Sequence, residues 1–342
     1  MANSTLKADI IANEALMLLD NNLVMGNLVH RGYEDEFDKS VNGYRTGSTV
    51  RIRKPAKFTV RSGATASSQD VVEGYTSVTV GTQIGVDFQF TSSELTLDIR
   101  ELSDRVLKPA MIPLANQIDA DIHRTLYRAT WNYVGTPGTP LSGFASFGRA
   151  PQRLTEMAVP QGARKAVLSP ADNWGMLGNT TGLYIDGPNK TAFQEAKLGR
   201  VGGVDIYESQ NVVGHTVGTK AGTPLVNGVS QNVAITATVT GAVAGVVKDV
   251  NAQTLITDGW SNASNILKQG DVITIAGVFA VNPVTKATLS YLQQFVVNAD
   301  YASDGSGNAT ISISPAIITS GAFQTVSAAP ADNAAITVLG TA

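Results

Sequence analysis

Residues 102–130, "LSDRVLKPAMIPLANQIDADIHRTLYRAT", have the periodicity of one long helix but carry two prolines in their first half. Apolar side chains recur every three or four positions, as on the packed face of an amphipathic helix. They form one stripe: Ile99, Leu102, Val106, Ala110, Leu114, Ile118, Ile122 and Leu126. A proline inside a helix costs about 3 kcal/mol, and much less in the first turn. We therefore predict a rod from about Thr96 to Trp131 that kinks or restarts at Pro109.

The charged residues of this stretch lie off the stripe, where we expect solvent or another subunit to meet them. They are Glu101, Asp104, Arg105, Asp119, Arg124 and Arg128. Asp119 and His123 are one helical turn apart, with Asp121 between them, and could offer two ligands to a divalent metal. A stable site needs more ligands than this pair supplies, so we favour a surface ion pair with Arg124.

The composition excludes several classes of protein. A chain of 342 residues that is 43% hydrophobic can bury a sizeable core and form two or three domains. Its net charge of -3 gives no general attraction to nucleic acid or to an anionic membrane. Because the chain has no cysteine, it has no disulfide, thiolate metal site or thiol nucleophile. The start, "MANSTLKADII", lacks the pattern of a secretory signal.

The first part of the chain indicates a helix, an arm and a strand. "TLKADIIANEALMLLDNNLV" (5–24) predicts an amphipathic N-terminal helix. After the acidic "YEDEFD" (33–38), "GSTVRIRKPAKFTVRSG" (47–63) alternates apolar with basic residues, which predicts a two-stranded arm. "TSVTVGTQIGVDFQF" (76–90) keeps Val78 to Phe90 on one parity and predicts a strand with one apolar face.

Two shorter patterns follow. "RKAVLSPADNWGML" (164–177) predicts a strand that runs into a helix capped by Ser169, with Pro170 at the first helical position. "GRVGGV" (199–204) lacks the spacing of a nucleotide-binding glycine loop and predicts a turn before the strand "VDIYES" (204–209).

The charge distribution changes sharply at Lys220. From there to residue 342 the chain has 4 Lys, 6 Asp and neither Arg nor Glu. "GDVITIAGVFAVNP" (270–283) and "QQFVVNADYASDGSGNATISIS" (293–314) have the alternation of strands, with "SDGSGN" (303–308) as a hairpin loop. We predict a separate all-β domain, a small barrel or sandwich.

The order of these segments resembles the major capsid proteins of tailed phages. An acidic and then basic start, "VRIRKPAKFTV" (50–60), "VTVGTQIGVDFQF" (78–90) and "SSELTLDIRELSDRVLKPAMIPLANQIDADI" (92–122) follow one another as in that family. The family has the HK97-like fold, an α+β fold in which a long spine helix crosses a thin subunit. The stretch "LKQGDVITIAGVFAVNP" (267–283) further resembles the coat proteins of short-tailed Salmonella-type phages, which carry an inserted β-barrel domain.

The resemblance implies a division of the chain into five parts. These are an N-arm (1–44), an extended loop (45–77), a peripheral domain with the spine helix (78–150), an axial domain (151–219) and an all-β insertion domain (220–342). In that family the chain also returns from the inserted domain to the core. We assign no stretch of this sequence up to Ala342 to that return.

The resemblance implies partners as well. The chain would assemble with itself, as hexamers and pentamers, into an icosahedral shell, with a scaffolding protein during assembly and a portal protein at one vertex. Packaged double-stranded DNA would meet the inner face without sequence specificity. Assembly would take place in the cytoplasm of the bacterial host, and the product would be the virion.

The candidate subunit interface joins basic and acidic segments. The basic side chains Arg51, Arg53, Lys57 and Arg61 could contact nucleic acid, remain solvated or dock on another subunit. We favour docking on the acidic residues of a neighbour, which are Glu34, Asp35, Glu36 and Asp38. We expect the apolar side chains of the arm to find their partners mainly on that neighbour; they are Val50, Ile52, Phe58 and Val60.

A scaffolding contact is implied for the N-terminal helix. Its acidic residues Asp9, Glu14 and Asp20 would receive a basic helix of the scaffolding protein. The alternative is an arm that only packs on its own shell.

The sequence offers no catalytic constellation. His30 and His215 stand apart from carboxylate clusters and nucleophile motifs, so we predict neither a hydrolase triad nor a metal or cofactor site. We predict a structural protein. Two alternatives remain: a bacterial nanocompartment (encapsulin-like) shell protein, or a two-domain enzymatic or carbohydrate-binding protein that stacks its ligand on Trp131, Trp174 or Trp260.

Overall fold

The computed structural model describes residues 4–38, 40–41, 44–45, 48–66, 68–69, 71, 74–87, 103–180, 198–233 and 251–340. Helices and strands both occur in these ranges, which confirms the predicted mixed class. Within them, no helix has the length and apolar character that a membrane span requires.

The chain begins with helices and short ribbons. The helices are α1 (Ser4–Asn22), α2 (Met25–Leu28) and α3 (Glu34–Asp38). The strands are β1 (Ser40–Val41), β2 (Tyr44–Arg45), β3 (Thr49–Arg53) and β4 (Tyr75–Thr79). β1 pairs with β2, and β3 pairs with β4, both antiparallel.

A helical rod follows, in two windings. A π-helical turn, Ser103–Leu107, continues directly into α4 (Lys108–Ala129), because Leu107 at the junction keeps helical angles of φ -67° and ψ -47°. Pro109 is the second residue of α4, directly after the π-helical turn. The predicted rod is confirmed from residue 103 to 129, with its irregular turn directly before Pro109; its expected start at Thr96 lies outside the described residues.

The buried face of the rod is shifted by one position along the sequence from the predicted apolar stripe, so that prediction is wrong. The most buried residues of the rod are Leu107, Ala115 and Asp119, whereas Leu126 is 43% exposed. The other described stripe members are only half-buried, and Ile99 and Leu102 lie outside the described residues. The reason is tertiary: α1 and α2 both pack on α4, and their contact selects the buried face.

The middle of the chain forms a small mixed sheet with two helices. Its elements are α5 (Phe144–Glu156), β5 (Arg164–Leu168), α6 (Pro170–Thr180), β6 (Arg200–Val201) and β7 (Val204–Glu208). β7 is the central strand, parallel to β5 and antiparallel to β6. Its core contains Phe147, Leu168, Met176 and Val204.

Both short patterns of this region are confirmed. Ser169 Oγ accepts a hydrogen bond from Asp172 N at 3.2 Å, and Pro170 is the first residue of α6, as in an N-cap. Gly202 and Gly203 connect β6 to β7 with φ values of 57° and 82°, a left-handed turn that favours glycine.

In the last part of the chain, the described residues 222–233 and 251–340 form strands and no helix. Its strands are β8 (Gly222–Val226), β9 (Gln253–Trp260), β10 (Asn265–Leu267), β11 (Val272–Val281), β12 (Thr288–Val297), β13 (Tyr301–Ala302), β14 (Ala309–Ser314) and β15 (Ile336–Val338). Six of them form an antiparallel sheet in the order β15-β11-β12-β14-β9-β8, and β10 pairs with β13 apart from it.

The six-stranded sheet closes on itself. Its two edge strands meet where Leu225 bridges Ala335, and Val226 N donates to Ala334 O at 3.0 Å. We call this unit the closed sheet. Its interior is completely buried at Phe295 and Ile275, which are both 0% exposed. The alternating apolar pattern of the sequence accordingly faces one shared interior.

Two predictions about strands need correction. The "SDGSGN" stretch is a tight turn between β13 and β14, but these strands lie in different sheets, so it does not close a hairpin of one sheet. The strand expected to reach Phe90 ends at Thr79, and Val80, Ile84 and Val86 are exposed. A strand needs a partner backbone, and β3 begins only at Thr49. Phe88 and Phe90 lie outside the described residues.

The closed sheet is fastened to the end of the rod. Gln294 Oε1 accepts from Tyr133 N at 2.7 Å, and Gln294 Nε2 donates to Tyr133 O at 2.9 Å. Asn282 Nδ2 donates to Glu156 O at 2.7 Å. Gly270 has a φ of 97°, and a Cβ there would meet Tyr127 at 3.0 Å, so glycine permits this close approach.

Candidate subunit interface

The arm, residues 48–79, begins as a ribbon of two strands. β3 and β4 pair from Thr49 opposite Thr79 to Arg53 opposite Tyr75. The arm is therefore two-stranded as predicted, but its second strand is β4 and not the second half of residues 47–63, where Phe58 and Val60 lie outside any strand. An isolated two-stranded ribbon is only marginally stable in water, so its foot needs support.

One side of β3 supplies that support. Val50 is 7% exposed and Ile52 is half-buried, whereas Arg51 and Arg53 are exposed on the other side. α3 of the same chain lies against β3. The expectation that Val50 depends on a neighbouring subunit is therefore wrong, because the chain's own segments bury it.

Beyond the strands, Lys54 N donates to Gly74 O at 2.9 Å, and the side-chain amide of Gln69 adds further hydrogen bonds. Gln69 Oε1 accepts from Thr59 N at 2.9 Å and from Thr59 Oγ1 at 3.0 Å, and Gln69 Nε2 donates to Thr59 O at 2.6 Å. These bonds join the outgoing and returning segments of the arm where the paired strands have ended. They leave the apolar side chains of the tip uncovered.

The exposed apolar side chains of the tip are the most distinctive feature of the arm. Phe58 is 56% exposed, Val60 is 98% exposed and Val71 is 61% exposed. An apolar side chain that is covered on binding contributes roughly 1.5 to 3 kcal/mol. The tip therefore presents unsatisfied apolar surface of the kind that a protein partner covers.

The basic side chains of the arm make contacts within the chain. Arg51 lies over the ring of Tyr75, with its guanidinium carbon 5.3 Å from the ring centroid. Arg61 donates to the carbonyl oxygen of Gly63. Lys57 Nζ lies 5.2 Å from the centroid of the Phe323 ring, beyond the arm.

The acidic segment forms α3 at the foot of the arm. Glu34 pairs with Arg31 at 3.2 Å, and both side chains are more than half exposed. Asp35 is exposed and Glu36 is half-buried, while the side chain of Asp38 lies outside the described residues. The structure thus places the acidic and basic segments side by side in one chain; their docking between subunits stays a prediction.

The three acidic residues proposed for a scaffolding contact differ in their surroundings. Glu14 is half-buried and its Oε1 accepts from Ser103 Oγ at 3.1 Å, so it fastens α1 to the rod. Asp20 is exposed near the end of α1. The side chain of Asp9 lies outside the described residues. The scaffolding contact itself remains a prediction.

Asp119 has a role that the sequence did not indicate. It is 1% exposed, and its two carboxylate oxygens accept hydrogen bonds from Val24 N at 2.9 Å and Gly26 N at 3.0 Å. Hydrogen bonds to a carboxylate compensate its loss of hydration. Asp119 is therefore a buried anchor between the N-terminal segment and α4. The predicted surface ion pair is made by Asp121 instead, 3.6 Å from Arg124.

The geometry does not favour a metal at Asp119 and His123. Both oxygens of Asp119 are occupied by backbone donors, and the described residues contain no group of three or more potential ligands. Burial lowers the pKa of His123, and the charge of Asp119 opposes that shift. In the described part of the chain, His123 Nε2 is buried without a hydrogen-bond partner.

His215 is not isolated, contrary to the sequence expectation. Its Nε2 lies 2.6 Å from Oδ1 of Asp271, which is completely buried, and Asp271 Oδ2 accepts from Lys268 N at 2.8 Å. Its Nδ1 lies 3.4 Å from the hydroxyl oxygen of Tyr127 on α4. The arrangement joins the rod to the closed sheet.

The tryptophans do not form a stacking platform. Trp260 is 3% exposed in the core of the closed sheet, and its Nε1 donates to Thr257 Oγ1 at 2.8 Å. Trp174 is 64% exposed on α6, and Trp131 follows the end of α4. A carbohydrate-binding site would need accessible rings on one surface.

A protein-family model described as P22 coat protein, gene protein 5, matches residues 1–342. The chain belongs to the P22 coat protein family. As a member of this family it is a major capsid protein: it forms the phage shell, is part of the virion, and is structural rather than enzymatic. The nanocompartment and carbohydrate-binding alternatives are thereby set aside.

Solved structures give weaker similarities to this coat protein. A chain titled Mycobacterium phage Che8 is 15% identical, covers 93% of this chain and 88% of its own length, and has a TM-score of 0.39. The CUS-3 coat protein I-domain is 29% identical over 35% of this chain and 98% of its own length, with a TM-score of 0.26. The capsid of Ralstonia phage GP4 is 12% identical, with coverage of 86% and 84% and a TM-score of 0.34. A comparison with curated protein sequences finds no match.

Proposed function

We propose that the chain is an HK97-like subunit with an inserted β-barrel, and that it assembles into an icosahedral shell around double-stranded DNA. The order of the described elements supports this: a helical start, an arm, a long rod, a small mixed sheet and the closed sheet. In this proposal they are the N-arm (1–44), the extended loop (45–77), the peripheral domain (78–150), the axial domain (151–219) and the inserted barrel (220–342).

The observation that carries the proposal is the uncovered tip of the arm. Phe58 and Val60 are exposed although the ribbon below them packs Val50 on its own subunit. A neighbouring copy that covers Phe58 gains roughly 1.5 to 3 kcal/mol per contact. An exposed ion pair, such as one formed by Arg51, contributes only about 0.2 to 1 kcal/mol. In a shell the contact is repeated at every subunit. The apolar tip would therefore contribute most of the contact energy between the arm and the neighbouring subunit, a contact that we call the grip.

The charged residues around the tip would set the orientation of that grip. Arg51, Arg53, Lys57 and Arg61 would face the acidic helix of a neighbour, with Glu34, Asp35 and Glu36. Complementary charges steer association and fix register more than they add affinity. Reversing two of the basic residues should therefore weaken assembly mainly at low salt.

The remaining partners belong to assembly in the host cytoplasm. Subunits would form hexamers and pentamers, a scaffolding protein would bind the acidic side of α1 through exposed Asp20, and a portal protein would occupy one vertex. DNA would meet the inner face without sequence readout and through local contacts only, because the net charge of -3 gives no general attraction to nucleic acid.

Replacing Phe58 with aspartate tests the grip. We expect Phe58→Asp subunits to fold with unchanged circular dichroism, because Phe58 is 56% exposed in the subunit. They should fail to form shells in sedimentation and electron microscopy, because a charge would have to be buried in each contact.

Two variants serve as controls for this test. Ala64→Asp adds the same charge at an exposed position of the arm without removing an apolar side chain, and Phe58→Leu keeps an apolar side chain; both should assemble. Normal shells from Phe58→Asp would show that the arm is not an interface. Unfolding of that variant would place Phe58 in the subunit's own core.

A further inference from the structure

One arm residue touches a distant part of its own subunit. Lys57 Nζ lies 5.2 Å from the centroid of the Phe323 ring, within the distance of about 6 Å at which a cation and an aromatic face attract. Arg51 and Arg61, by contrast, contact residues of the arm itself. Lys57 therefore joins the tip of the arm to the region of the closed sheet.

The turn that carries the Phe323 ring is held by hydrogen bonds. Phe323 lies on a turn where Gln324 N donates to Gly321 O at 3.1 Å, and Gly321 has a φ of 82° that favours glycine. Directly after it, Thr325 N donates to the carbonyl oxygen of Ile318, which is 4% exposed, at 2.9 Å. The turn is thus tied to the buried interior, and the half-buried ring is presented at a fixed position.

A second cation stands beside this contact. Lys286 Nζ donates to Ala322 O at 2.7 Å and so braces the same turn. The pKa of Lys286 is lowered by burial first and by the charge of Lys57 second, so the two ammonium groups are close enough to repel. The ring attracts Lys57 while Lys286 repels it. The contact is accordingly weak, which suits a contact that must be released.

We propose that the Lys57–Phe323 contact is a latch that holds the arm on its own subunit before assembly, a proposal that rests on the arm's proposed role as the grip between subunits. While latched, the tip is not free to seek a neighbour. Release lets the tip, whose Phe58 and Val60 are already exposed, reach a neighbouring subunit. Loss of the latch should shift the balance of docked to free arms about two- to fivefold, which corresponds to the roughly 0.5 to 1 kcal/mol of an exposed cation–aromatic contact.

The test measures the position of the arm in unassembled subunits. Because the chain has no cysteine, Thr65→Cys and Ser320→Cys, both at exposed positions, can carry a pair of spin labels without further changes. Double electron–electron resonance should give one dominant distance between the labels. Lys57→Gln should broaden the distribution and lower its main peak.

Two further variants make the result specific. Phe323→Leu keeps apolar volume at the turn but removes the aromatic face, and it should broaden the distribution in the same way. Arg61→Gln removes a charge from the arm without touching Phe323, and it should leave the distribution unchanged. A distribution that is equally broad in the parent protein, or that neither Lys57→Gln nor Phe323→Leu changes, would overturn the latch.

Assembly kinetics provide a second readout. Because its arms are released, Lys57→Gln should form shells with a half-time about two- to fivefold shorter than that of Arg61→Gln. A longer half-time would contradict a restraining role for the contact. The distance measurement uses free subunits, so it stands whether or not Phe58→Asp prevents assembly. Failure of the grip and failure of the latch are therefore distinguishable.

Discussion

Apolar side chains are buried in the closed sheet but exposed at the tip of the arm. In the closed sheet Phe295 and Ile275 are 0% exposed, whereas in the arm Phe58 is 56% exposed and Val60 98%. Both regions contain antiparallel strands with alternating apolar residues, and in the arm the alternation continues beyond β3 to Phe58 and Val60. The difference therefore does not come from the local pattern but from whether another layer covers it.

The physical cause lies in the edges of the two sheets. In the closed sheet the strands β8 and β15 meet, so each inward side chain faces other strands across a common interior. Among the described residues, β3 and β4 of the arm pair only with each other. Closure pairs the two edges of the first region with each other. The second region keeps surface for partners, and three changes should break or sharpen this contrast.

The largest effect is expected in the interior of the closed sheet. Phe295→Ala should lower the free energy of unfolding by roughly 3 to 5 kcal/mol, because it leaves a cavity in a packed core. Urea unfolding followed by the fluorescence of Trp260, with Trp131 and Trp174 replaced by phenylalanine, reports on this region.

The matched change in the arm should do almost nothing. Val60→Ala removes an apolar group that is 98% exposed, and it should alter the free energy of unfolding by less than about 0.5 kcal/mol. A large loss from Val60→Ala, or none from Phe295→Ala, would remove the contrast between the two regions.

An intermediate effect is expected where the N-terminal segment meets the rod. Asp119→Asn replaces one carboxylate oxygen by a donor, so Val24 N or Gly26 N loses its acceptor. The expected loss of stability is roughly 1.5 to 3 kcal/mol, the range for hydrogen bonds to a charged group. Thermal unfolding followed by circular dichroism measures it.

Asp121→Asn is the control on the same helix. Asp121 pairs with Arg124 at 3.6 Å on an exposed surface, and such pairs contribute only about 0 to 1 kcal/mol. Equal losses from the two variants would show that Asp119 does not anchor the N-terminal segment.

The smallest effect is a dependence of stability on pH. Burial lowers the pKa of His123 in the folded chain, whereas an unfolded histidine titrates near pH 6.5, approximately. Below that pH the unfolded chain binds the proton first. The free energy of unfolding should therefore fall as the pH drops from about 6.5 to the lowered pKa and level off below it, and this contribution is absent above about pH 6.5.

Urea midpoints at about pH 7.5 and about pH 5.5 measure this contribution. In His123→Gln the difference between the two midpoints should be smaller than in the parent protein. His30→Gln replaces an exposed histidine and should leave the difference unchanged. If His123→Gln also leaves it unchanged, burial of His123 is not linked to folding.

Local patterns were the most predictable part of the molecule. The cap at Ser169 with Pro170 and the turn at Gly202 and Gly203 were correctly predicted, because their hydrogen bonds and backbone angles involve residues close in sequence. In the arm, the alternation predicted only β3, because it specifies which side chains can be exposed; the pairing of β3 with residues 75–79 joins segments far apart in the chain and was not predicted.

Contacts between distant segments were not predictable. Asp119 was expected on the surface because it is charged, but its partners are the backbone N–H groups of Val24 and Gly26. His215 was expected to be isolated, but the carboxylate of Asp271, just before β11, lies 2.6 Å from its Nε2. Neither pair is marked by spacing or by a motif, since each depends on how two elements dock.

Local sequence patterns specified several elements of this coat protein: the proline-marked rod, the first strand of the arm, the capped helix and the β-rich part after Lys220. These follow from periodicity, caps and turns, which act over a few residues. Only the tertiary structure decided which face of the rod is buried, that the edges of the closed sheet meet, and that Val50 is covered while Phe58 is not. The physical reason is that burial depends on desolvation by segments far away in the chain, and no local pattern specifies where they pack.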